Sequence, residues 1–555
     1  MDDKSDTSEI TREKLFAIVP SMEENHPNSP ISLCHYPPSP RVSTSYHPET
    51  SPPSLNDVSV NKARRRSTIN SYNLVNYYAL PRDPQTLKAI RQMTEGKAMK
   101  NVIVLGVAFM FANTAFVSLQ SLQSIMNSEG GVGVVSLSCI YATTVISCLL
   151  APWLISKLTS KWTMTIAFFL FTGYFAGNFY PKHFMLIPLG LTLGFLTGPL
   201  WSAQATFITT VALTYSQHAH IFDQDVIVNK FMGIFCGFYR SSYIWGNLIT
   251  TLMLSNNQTL RTEEFELDLN RSITRNVCGA VDCTVSTPDA EVEKFDISNN
   301  PYVTEIPDDT KYMLLSIYLG CGVMGAVVLM VLLDNNTVTS KSLNSNFSLT
   351  TKELILATIK MLKDSRCQLL IPLGLFVGLE QGFIFGDFTK SYVNCTLGIH
   401  SVGPILMCFG AVSAISSIVI GCVAEHIKRF AFITAGATFN AGILIVMWLW
   451  KPVPTDIPNF FVVSACIGLC DAIWQTQTYT LFGVLFQDKQ EAAFASYRMF
   501  FSTGCAVSFG YSYFLCVETK VYILAAMLGL ALLLYSVIEM KVQLQSQHIK
   551  DIVAL

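Results

Sequence analysis

Five ionisable side chains stand inside runs that otherwise suit a lipid bilayer, and chemistry is expected there first. Asp471 lies in GLCDAIWQTQ, within an apolar run from Phe460 to Phe486. Glu380 and Asp387 lie in GLEQGFIFGDFTK, and Arg240 and Arg498 each follow a tyrosine, Tyr239 and Tyr497. A charge at the centre of a membrane helix costs about 2.5–3.5 kcal/mol on insertion scales. Each therefore needs a partner, a wet cavity or, for the acids, a proton. Two chemistries answer that need. Acids facing a cavity bind and couple protons or ions, whereas acids paired with a buried arginine hold helices in register. Glu380 and Asp387 are two helical turns apart and are expected on one face. Asp387, near an end of its segment, also suits a solvated cap. Arg498, near the start of its segment, can reach a membrane face and snorkel. Trp201 with Gln204 and Trp474 with Gln477 form matched Trp-x-x-Gln pairs, each on one helix face. The tryptophans suit packing and the amides suit interhelical hydrogen bonds, worth about 0.6 kcal/mol each.

The elements that position these groups follow from composition. Of 555 residues, 50% are hydrophobic and 14% charged, and the mean hydropathy is positive. A soluble domain carries about 25% charged residues, so the chain is expected in a membrane. A net charge of −2 provides no electrostatic attraction to nucleic acid. The fifteen cysteines are mostly scattered through apolar segments and do not form a disulfide framework by pattern. The opening MDDKSDTSEITREK lacks an apolar core, so the first span is expected to serve as the insertion signal. Residues 1–100, rich in Pro, Ser and Thr, read as a disordered tail. A bilayer-crossing helix needs about 20 apolar residues. Such stretches fall near 101–122, 133–155, 162–180, 184–212, 230–254, 312–333, 368–388, 402–423, 430–450, 459–486, 492–516 and 520–540.

Those twelve spans predict an all-α polytopic membrane protein of two six-helix halves, 101–333 and 368–540, joined by a middle loop, 334–367. The halves repeat one another. Tyr239-Arg240 with Gly246 matches Tyr497-Arg498 with Gly504 at equal spacing, in the fifth and eleventh spans. Such a repeat is the architecture of major facilitator proteins, whose binding cavity lies between the halves near the midplane. By that analogy the first, fourth, seventh and tenth spans line it. Lysines and arginines concentrate in the tail, the middle loop and the loops sharing their side, which marks that side and both termini, including the tail 541–555, as cytoplasmic. The long loop 255–311 then faces outside. It carries sequons at Asn257 and Asn270, with a third at Asn394 on the same side. Cys278 and Cys283 in CGAVDC are expected to bridge each other in that oxidising compartment. Ser67, after three arginines, suits a basophilic kinase. HAHIFDQD, 218–225, reads as a solvated loop, and no metal or cofactor site is expected. No nucleotide-binding loop, HExxH or nucleophile elbow is present, so catalysis is not expected.

From about Asn101 to Met540 the chain resembles the UNC-93 family. The resemblance rests on SLQSLQSIMNSEGGVGVVSLSCIYATT, GPLWSAQATFITT, EQGFIFGDFTKSYVNCTLG, DAIWQTQ and AFASYR, with GNFYP and WGNLI. Arg240 departs from the family pattern, which has an amide near that position. The resemblance implies a major facilitator fold and a regulatory partner of a two-pore potassium channel at the plasma membrane. Two other functions remain open. One is a secondary transporter coupled to protons or ions. The other is a trafficking chaperone for membrane receptors, which would place the chain in endoplasmic reticulum or endolysosomal membranes.

Overall fold

The computed structural model describes residues 90–126, 132–219, 221, 224–255, 278–283, 308–335, 353, 356–511 and 515–554. All of them fall in one structural unit, Val60–Leu555. The tail with Ser67, the acceptors Asn257 and Asn270, and most of the middle loop lie outside the described residues.

The described chain is helical almost throughout. The long helices are α1 (Glu95–Met126), α2 (Val132–Ser147), α3 (Ala151–Gly177), α4 (His183–His218), α5 (Gln224–Ser255) and α6 (Asp308–Leu332). They continue with α7 (Ser365–Phe383), α8 (Val402–Val423), α9 (Arg429–Leu449), α10 (Ile457–Leu485), α11 (Gln490–Tyr511) and α12 (Val517–Ala554). Among the described residues nine runs are long and apolar enough to cross a membrane. One of them, Cys139–Gly177, has 39 residues, far more than one crossing needs. It breaks at Thr159, whose φ of 67° and ψ of 160° are non-helical. Two further long helices, α5 and α11, are absent from the nine. Their polar residues, Arg240 and Arg498 among them, lower the hydropathy; Arg240 is buried and Arg498 half-buried among neighbouring helices.

Local sequence sets the ends. Pro152 opens α3 and Pro458 opens α10, where a missing N–H costs nothing. Asp364 caps α7 by accepting from the Arg366 backbone N–H at 3.0 Å. Past Phe383, α7 widens to π geometry over Ile384–Asn394. The last helix runs to Ala554, so residues 541–554 are helical and continue α12.

Two glycines close matching contacts. A methyl group on Gly246 of α5 would lie 2.8 Å from the Thr114 carbonyl of α1, and one on Gly504 of α11 would lie 2.9 Å from the Leu379 nitrogen of α7. Helix backbones meet this closely only where the side chain is absent.

One end of the bundle carries a cross-linked cap. Cys278 bridges to Cys395 and Cys283 to Cys516, with Cα separations of 5.7 Å and 4.3 Å. The expected Cys278–Cys283 bridge is therefore wrong. Gly279–Val281 makes a tight turn that packs on Trp450 and Pro452. The turn presents its two cysteines to two different helix ends. The Val517 N–H also donates to the Asp282 carbonyl at 3.1 Å. Asn394 lies half-buried beside this cap, with Thr396 of its sequon buried.

Candidate functional site

Arg240 is 1% exposed on α5 and Asp471 4% exposed on α10. Their side chains meet at 2.7 Å. Ser413 of α8 donates to the other Asp471 oxygen at 2.7 Å, and Arg240 also reaches Gln381 of α7 at 3.4 Å and the Tyr243 hydroxyl at 3.3 Å. Four helices thus meet at one ion pair. Removing two charges from water costs several kcal/mol per ion, and the surrounding hydrogen bonds offset that cost. Asp471 is tolerated in an apolar helix because a guanidinium and a hydroxyl replace water around it. Asp471 is thus ion-paired with a buried arginine.

Beside this pair lies a cavity of about 80 Å³. Its walls come from α1, α2, α3, α4, α5, α7, α10 and α11. The expected first, fourth, seventh and tenth helices are all present, joined by others that the analogy omitted. Arg240 and Arg498 both reach the wall, and so does Trp201. Arg498 stacks on Trp201, 4.6 Å from its centroid, and on Phe501 at 4.3 Å. It faces this interior space rather than snorkelling to a membrane face. No acid belongs to the wall among the described residues.

The remaining expected site residues lie elsewhere. Glu380 points to Asn440 of α9, which donates to it. Asp387 is 1% exposed and forms a 2.6 Å ion pair with Lys520 of α12, so it is a buried partner and not a solvated cap. Glu380 thus points to α9 and Asp387 to α12, and neither belongs to the cavity wall. Trp474 is fully buried against Phe376, and Gln477 donates to Asn229 of α5 at 3.0 Å, as interhelical bonding requires. Gln204 is buried with neither amide atom bonded.

Sequence reasoning missed Ser413, Gln381, Asn440 and Lys520 as partners. It also missed a cluster at the opposite end from the cap. There Arg429 of α9 meets Asp225 of α5 at 3.0 Å and Glu539 of α12 at 3.3 Å. Asp225 closes HAHIFDQD, so that acid is an interhelical partner. Among the described residues no group of His, Cys, Asp or Glu has the arrangement to hold a metal ion.

A family profile described as "Ion channel regulatory protein UNC-93" matches residues 126–535. The Xenopus laevis protein unc-93 homolog A is 39% identical over 449 residues, covering 80% of this chain and 93% of that protein. The Caenorhabditis elegans protein named "Putative potassium channel regulatory protein unc-93" is 28% identical over 454 residues, covering 80% of this chain and 61% of its own. Among solved structures, the Escherichia coli fucose:proton symporter FucP aligns with a TM-score of 0.55 at 14% identity, covering 80% of this chain and 99% of that one. At that identity the likeness shows the fold alone, which is that of the major facilitator proteins.

Proposed function

The chain belongs to the UNC-93 family, and from that premise we propose that it is a regulatory membrane protein that modulates ion flux through a potassium channel partner. The observation that carries this reading is its relatedness, along 80% of its length, to the nematode protein named for that role. The site geometry supports it. Proton or cation coupling calls for an available acid on the cavity wall. Here Asp471 is engaged by Arg240 and Ser413, Glu380 by Asn440, and Asp387 by Lys520.

The architecture we propose has twelve crossings. The break at Thr159 divides Cys139–Gly177 into two, and α5 and α11 supply two more. Two six-helix halves follow, 101–333 and 368–540, with Arg240–Asp471 spanning them. The basic excess places both termini and the middle loop, 334–367, in the cytoplasm. The disulfide cap and loop 255–311 then face outside, where Asn257, Asn270 and Asn394 are glycan acceptors. The residence is the plasma membrane, and Ser67 is a cytoplasmic phosphorylation site.

A second reading, a secondary transporter, is favoured by one observation: the fold encloses a cavity with polar groups on its wall. Co-purification separates the readings. The chain is co-expressed with two-pore potassium channels, surface proteins are biotinylated, and complexes are captured from that fraction. Mature channel is expected in the complex. Recovery of immature channel alone, from the endoplasmic reticulum, would indicate a chaperone. Recovery of no channel would leave transport as the better reading.

A further inference from the structure

We propose that the cavity is a binding site for a small organic monoanion, a short-chain carboxylate, and that Arg498 receives its carboxylate group. The inference rests on the cavity as a working feature of the major facilitator body. It holds whether the chain regulates a partner or moves a solute.

Charge on the wall points to an anion. Two guanidinium groups reach it, and Asp471 behind the wall neutralises Arg240 at 2.7 Å. Arg498 has no such counter-ion. Its ring contacts with Trp201 and Phe501 engage the charge but satisfy none of its N–H donors. Its Nε is buried without a hydrogen-bond partner, and no described residue pairs with its terminal nitrogens. Those ring contacts leave its hydrogen-bonding capacity open to an anion in the cavity, whose oxygens would accept from it.

The remaining wall narrows the class. No acid belongs to the wall among the described residues, and one guanidinium without a counter-ion balances one negative charge, not two. Phe116, Phe235 and Phe509 offer an apolar surface, while Gln120, Gln381 and Gln475 offer amides. That combination fits a hydrocarbon body behind a planar carboxylate, whose two oxygens match the fork of a guanidinium. Size sets the limit. An apolar cavity of about 150 Å³ holds a benzene ring, so one of about 80 Å³ admits a body of only a few carbons.

The test uses the purified full chain in lipid nanodiscs, in chloride-free buffer, read by thermal unfolding against ligand concentration. Propionate and butyrate are the probes. Propionamide and propylammonium are their neutral and cationic isosteres, and chloride is the inorganic control. The carboxylates are expected to raise the unfolding midpoint in a saturable way, and the isosteres are not. Arg498→Gln is expected to weaken carboxylate binding at least tenfold, with partial recovery in Arg498→Lys. The isostere comparison on the unaltered chain decides the matter even where Arg498→Gln fails to fold. Equal stabilisation by propionamide, no effect of carboxylate, unchanged affinity in Arg498→Gln, or a response to chloride alone would each overturn the proposal. Channel currents recorded without carboxylate are independent of this result, so either reading can fail while the other stands.

Discussion

Asp471 was recognisable as a residue needing company, and Arg240 as a possible companion, from residue type and hydropathy alone. Which arginine it meets was not legible. Arg240 lies 231 positions away in sequence, and the choice between it and Arg498 depends on how helices rotate about their axes. Ser413 carried no signal, since a serine in an apolar helix usually bonds its own preceding turn. The misplacement of Arg498 has the same origin: a helix-end position suggests snorkelling only where the helix meets lipid. At this scale the pair makes a sharp prediction. Asp471→Asn or Arg240→Gln leaves one buried charge without its partner and should cost about 3–5 kcal/mol. The swap Arg240→Asp with Asp471→Arg should recover part of that loss. Unfolding midpoints in nanodiscs measure both, and single variants as stable as the parent would deny the pair its role.

The helices themselves were largely legible, because most lie in predominantly apolar runs of about 20 residues or more, and their order followed from that. The exceptions have physical causes. Cap connectivity was missed because its partners are 117 and 233 residues apart in sequence, and compartment alone cannot choose among cysteines. Peptide mapping without reduction should recover Cys278 joined to Cys395 and Cys283 joined to Cys516. A Cys278–Cys283 peptide would refute the cap. The widening of α7 over Ile384–Asn394 was not legible either, since no proline or glycine pattern marks it uniquely. Matching glycines give a second test. Gly504→Val forces a side chain into the α7 backbone and should cost about 1–3 kcal/mol or more, visible as a lowered unfolding midpoint; an unchanged midpoint would mean the helices are not in close contact. The cap of α7 adds a pH test. Burial alone would raise the Asp364 carboxyl, but hydrogen bonds and charge from Arg366 hold it below the ordinary 3.8 of an aspartate. A depressed folded value stabilises above that ordinary value and is lost only as pH falls through the folded one. Asp364→Ala should therefore cost about 1 kcal/mol at neutral pH, with the difference shrinking below about pH 4. A difference that grows on acidification would contradict this.

At the scale of the whole molecule, the succession of apolar spans made an all-helical membrane fold readable from the sequence, and the likeness to FucP bears out the major facilitator fold. Function was less readable, because a fold of this kind serves more than one purpose and a partner leaves no periodic trace in a sequence. The interior gives the best guide. Ion pairs tie α5 to α10 near the cavity and α5 to α9 at the end opposite the cap. A body held together in this way has contacts to exchange on changing state, and that exchange is the means by which it would act on a neighbour. The most direct measurement is the current through two-pore potassium channels expressed with and without this chain, at matched surface abundance of the channel. The account predicts that the chain changes the current through at least one such channel, and that a stably folded, surface-delivered variant with Arg240 and Asp471 both neutralised changes it less. Currents identical with and without the chain, across the channel panel, would contradict it.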